Sequence, residues 1–138
     1  MTIQLHLQIV GALLFALGVS HIFFVRFFGW KQEAARMSLF TGQVFIVHCF
    51  FIALLLVLLG ALSWFYAGAL LEPGPLSRAV LMGLVVFWFC RLFFQLFVYR
   101  AEIWRGHPFY TVMHVLFSVF WFYAVLTYGA ALHSVWRG

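Results

Sequence analysis

Leu76–Tyr99 reads LSRAVLMGLVVFWFCRLFFQLFVY. Only Arg78, near its start, and Arg91, well inside, interrupt the apolar run. About 20 apolar residues suffice for a helix to cross the hydrocarbon core, and this run exceeds that length. The stretch therefore reads as a transmembrane helix with an arginine at depth. A charge inside a bilayer costs several kcal/mol unless it is paired, hydrated or turned toward protein. Some part of the chain is expected to receive the Arg91 guanidinium.

Three further runs have the same character. The expected helices lie at residues 3–28, 38–67, 76–100 and 108–133, joined by short connections, which predicts antiparallel neighbours. Fold class is therefore expected to be all-α: an integral membrane four-helix bundle, up-down-up-down, forming a single domain over residues 1–138. Composition agrees. Hydrophobic residues make up 67% of the chain and charged residues 8%, against roughly 25% charged in soluble domains. Glu72-Pro73-Gly74-Pro75 marks a turn between helices. The second run has no charge from Met37 to Leu71. As one helix it would reach about 50 Å, so it must tilt, extend past the membrane, or break near Gly60 or Gly68. Ser63-Trp64-Phe65-Tyr66 reads as an interfacial anchor. Ala12, Ala16 and Ser20 form a small-residue stripe suited to close helix packing.

Arg26, Lys31, Arg36, Arg100 and Arg105 flank the first and third loops, against Arg78 and Arg137 on the other side. The positive-inside rule puts those loops in the cytoplasm and both termini outside it. The expected location is a bacterial inner membrane. The start, Met1-Thr2-Ile3-Gln4-Leu5, lacks a basic signal region, so the first helix is expected to be retained. The net charge of +5 is too thinly spread for a nucleic-acid surface. Cys49 and Cys90 have no disulfide or CxxC spacing and read as small buried residues.

Counting turns from the loop-bearing ends, His21, His48, His114 and Arg91 fall at similar depths on four different helices, within roughly 10 Å. Arg91, Gln95 and Tyr99 repeat at i, i+4, i+8 and make one polar stripe. His107, Tyr110, His114, Ser118 and Trp121 share a face of the last helix. Together they predict a polar pocket walled by phenylalanines.

Three chemistries suit such a pocket. Haem b could be ligated by His48 and His114, with Arg91, Arg26 or Arg100 against a propionate and His21 in reserve. In helix count and histidine depth this layout resembles the four-helix membrane b-type cytochromes. A transition metal could instead sit among His21, His48 and His114. A quinone or lipid headgroup could lie against a histidine, Gln95 and Tyr99. Carboxylate-bridged di-iron chemistry is disfavoured, because aspartate is absent and Glu33, Glu72 and Glu102 lie between the apolar runs. No hydrolase elbow, phosphate loop, HExxH or Rossmann fingerprint occurs. The sequence leaves open whether the protein is an enzyme. Haem- or quinone-linked electron transfer is the leading expectation. A non-catalytic accessory subunit of a larger membrane complex is the alternative, in which the histidines only hydrogen-bond neighbouring helices. A homo-oligomer is a further form of partnership. A channel or transporter ranks third, since broken helices with paired charges are missing.

Overall fold

Two prolines and one serine fix where the long helices begin. Pro75 and Pro108 stand in the first turns of their helices, where a missing N–H removes no hydrogen bond. Ser38 caps another helix, its hydroxyl accepting from the Thr41 N–H at 3.3 Å. In the computed structural model the order is α1 (Ile3–Phe27), α2 (Trp30–Ala35), α3 (Leu39–Phe65), α4 (Ala67–Leu71), α5 (Pro75–Phe93) and α6 (Pro108–Arg137). A π turn, Phe94–Val98, continues α5, and a 3₁₀ turn, Ala101–Ile103, lies in the following loop. The structure describes residues 2–138, apart from the side chains at 25 and 26. Arg26, a candidate propionate partner, thus has a side chain outside the described residues.

The fold is all-α, with four helices long and apolar enough to cross a membrane: Ile3–Phe24, Leu39–Phe65, Pro75–Val98 and Pro108–Arg137. The protein is an integral membrane protein. Its chain forms two compact units, Leu7–Ala67, and Met1–His6 with Gly68–Gly138.

In the Leu7–Ala67 unit, α1 and α3 run antiparallel at backbone contact. A Cβ on Gly11 would meet the Gly60 carbonyl at 2.8 Å, and one on Gly18 the Ala53 carbonyl at 2.9 Å. Gly60 therefore does not break α3, and of the two places named from sequence the break lies near Gly68. Its missing side chain admits Phe15, whose amide nitrogen would lie 2.6 Å from an added Cβ. The break falls at Tyr66, where the backbone turns to φ −113°, ψ 21° before α4 starts at Ala67. The small-residue stripe does not make the close approach within this unit. Ala12 and Ala16 are exposed and Ser20 half-buried, while the close approach uses Gly11 and Gly18 one face away.

In the other unit α5 and α6 are antiparallel. Arg78 donates to the Val135 carbonyl near one end, and Gln95 meets His114 near the other. Leu81, Leu84 and Trp88 face Trp121, Ala124, Tyr128, Ala131 and Val135, all buried. The alternating three- and four-residue steps define a seam of nearly parallel axes. His6 joins this unit through a 2.7 Å hydrogen bond between its Nδ1 and the Tyr123 hydroxyl. Cys90 is exposed and Cys49 half-buried, so neither is the fully buried filler expected.

Candidate functional site

Arg91 lies in the last turns of α5, and the ladder beyond it loosens. The Tyr99 N–H bonds to the Phe94 carbonyl at 3.3 Å, a five-residue step. Such π turns rotate the side chains within them and occur often at functional sites. This one carries Gln95, which is only 5% exposed. Arg91 donates from a guanidinium nitrogen to Gln95 Oε1 at 3.2 Å, and Gln95 Nε2 lies 3.0 Å from His114 Nδ1 on α6.

The direction of this relay follows from its first member. A guanidinium only donates. The Gln95 amide oxygen must therefore face Arg91, and its NH₂ must face the histidine. His114 Nδ1 then accepts, which puts the ring proton of neutral His114 on Nε2. His114 presents an N–H to its surroundings, with no free ring lone pair.

Aromatic side chains enclose the relay. The Trp104 indole, from the loop before α6, stacks on the His114 ring with centroids 4.5 Å apart and planes 9° apart. Arg91 Cζ lies 5.1 Å from the Trp121 ring centroid and 5.7 Å from that of Tyr99. Trp121 stacks in turn on Trp88 at 5.0 Å and on Phe117 at 5.9 Å. Desolvated cation–π contacts are worth about 2 kcal/mol each. They offset part of the cost of the Arg91 charge, which amounts to several kcal/mol. Among the described residues no carboxylate completes the offset. Among the described residues the ion pairs are Arg36 with Glu33 and Arg100 with Glu102. Donors are in excess as well: the indole N–H groups of Trp88, Trp104 and Trp121 are buried without a hydrogen-bond partner.

The structure brings Arg91, Gln95, Tyr99 and His114 together. Tyr99 has left the helix, in extended backbone, yet its ring still meets Arg91. His21 and His48 belong to the other unit. Each turns its Nδ1–H onto the carbonyl four residues back, Leu17 at 2.8 Å and Val44 at 2.9 Å. That leaves Nε2 of both rings as the lone-pair atom. His48 is exposed and His21 half-buried against Phe24. Among the described residues of each unit, no three His, Cys, Asp or Glu side chains gather as a metal-holding group. His107 is the N-cap of α6 and makes no side-chain cap bond.

Sequence reasoning missed Trp88 and Trp104. A tryptophan in an apolar run carries no polar signal, and Trp104 reaches His114 only because its loop folds back over the start of α6. No protein-family model, curated protein or solved structure matches the chain.

Proposed function

We propose that the Arg91–Gln95–His114 relay binds the polar head of a quinone, and that the protein works in quinone-linked electron transfer within the membrane. The observation that carries this reading is the direction of the relay. It turns both open ends, Arg91 and His114 Nε2–H, into donors. A quinone ring offers carbonyl acceptors and a flat face, which suits two donors beside Trp104 and Trp121. Its tail is soluble in the apolar surroundings of α5 and α6. The same direction weighs against haem ligation by His114, whose Nε2 would first have to give up its proton. In this reading the chain is a quinone-binding subunit that serves a larger redox complex in a bacterial inner membrane. Its basic loop flanks favour both termini outside the cytoplasm.

Quinones quench tryptophan fluorescence, and two tryptophans adjoin the relay. Titrating a short-chain benzoquinone into the purified protein should quench it saturably. Gln95→Leu should weaken the apparent affinity roughly tenfold, from the hydrogen bonds that Gln95 organises. Far-UV circular dichroism confirms that the variant is folded. Linear, unsaturable quenching, or equal affinity in a folded Gln95→Leu protein, would sink the reading.

A second reading draws on the other unit. Anchoring Nδ1–H on a backbone carbonyl is the usual way a ligating histidine is oriented, and His21 and His48 both have it. They suit axial ligation of haem b or a transition metal. A Soret band from gently purified protein, lost in His48→Ala, would favour this reading over the first.

A further inference from the structure

A groove on the Leu7–Ala67 unit owes its shape to two glycines. After α1 the chain turns at Gly29, whose φ of +64° is a left-handed conformation that side chains disfavour. It returns along α2, which rests on the first turns of α3. Gly42 makes that contact possible: a Cβ there would lie 2.6 Å from the Ala34 carbonyl oxygen. Trp30 pins α2 in place, edge-on to Phe45 at 5.9 Å and stacked on Phe28 at 6.0 Å.

Between α2 and α3 is a groove of about 710 Å³, whose lining includes Lys31, Met37, Leu39, Gln43, Ile46 and Val47. Its walls are aliphatic, and its polar side chains are the Lys31 ammonium and the Gln43 amide. Lys31 takes part in no ion pair among the described residues, since Glu33 is paired with Arg36 at 3.6 Å. The lone cation sits on the short helix that precedes the span beginning at Leu39. Ile46 and Val47 continue the groove about two turns along that span.

We infer that this groove holds an anionic glycerophospholipid. Lys31 and the Gln43 amide N–H receive the headgroup phosphate, and an acyl chain runs along Leu39, Ile46 and Val47. Charge complementarity chooses an anion. The sequence of surfaces, cation first and aliphatic wall deeper in the span, matches the order of a phospholipid entering from the bilayer surface. This inference is independent of the quinone reading.

Native mass spectrometry of the full chain, equilibrated with equimolar phosphatidylglycerol and phosphatidylcholine, tests it. The protein should retain phosphatidylglycerol preferentially. Lys31→Gln should lower that preference about fivefold, the worth of one basic residue beside an anionic membrane surface. Arg105→Gln, in a different loop, should leave it unchanged. Val47→Phe, which fills the groove from its lipid side, should reduce retention of both lipids. Equal retention of the two lipids by the unaltered protein overturns the inference. So does an equal loss in Lys31→Gln and Arg105→Gln, which would report only general surface charge.

Discussion

Gly11 and Gly60 bring α1 and α3 to backbone contact, whereas Trp88 and Trp121 stand stacked between α5 and α6. Each pair lacks a hydrophobic drive, since lipid is as apolar as the seam, and each must gain its stability from packing and hydrogen bonds. The polar side chains divide along the same line. Beside the glycine seam, His21 and His48 fold back onto their own helices. Across the tryptophan seam, Gln95 bridges from one helix to the other. Helices held at backbone contact leave no space between them for an imidazole. Helices spaced by indoles leave a gap, and a polar relay can occupy it. Functional chemistry is therefore expected where the packing is bulky.

The largest effect should come from filling the glycine seam. Gly60→Leu would drive a side chain into the Phe15 backbone, where even a Cβ comes to 2.6 Å. The expected loss is about 3 kcal/mol, the upper end for overpacking. Gly83→Leu in α5, whose added Cβ meets nothing within 4 Å, should stay within about 0.5 kcal/mol. Reversible unfolding in mixed micelles measures both. Equal losses would erase the distinction between a backbone seam and a side-chain seam.

The spans were readable because hydropathy acts at the scale of a whole helix, and Pro75, Pro108 and Ser38 punctuate it. Arg91, Gln95 and His114 were readable because i, i+4 spacing and depth survive small boundary errors. Packing detail was not readable. Gly60 looks the same in a sequence whether it breaks a helix or admits a neighbour, and only the position of Phe15 decides. The π turn at Phe94–Val98 leaves no sequence mark either, yet it sets where Gln95 points. The relay's direction required knowing which amide atom meets the guanidinium, which spacing alone does not supply.

Cutting the bridge should cost less than filling the seam. Gln95→Leu removes the acceptor for Arg91 and the donor for His114, both part-buried. A loss of about 1–3 kcal/mol is expected, since each stranded group loses a partner it cannot fully replace in lipid. Thermal unfolding in the same micelles measures it. No loss would mean that the cation–π contacts with Trp121 and Tyr99 hold Arg91 by themselves.

The smallest effect is the sharpest discriminator. His48 is exposed, and its side-chain hydrogen bond is made to Val44 on its own helix. Replacing it with phenylalanine removes a local bond whose acceptor carbonyl remains in the α3 ladder, and it puts an apolar ring where lipid is the neighbour. The stability change should lie within about 0.5 kcal/mol, as for a surface site. His114→Phe is the matched change in the other pair. It keeps a ring against Trp104 but leaves the Gln95 amide without its acceptor, so it should cost at least about 1 kcal/mol. The contrast isolates hydrogen bonding across helices from the loss of an imidazole as such, because residue type and substitution are the same. If His48→Phe is the costlier of the two, the histidine of the glycine-packed pair has a partner that its own helix does not supply, and the second, ligand-bearing reading of His48 gains over the relay.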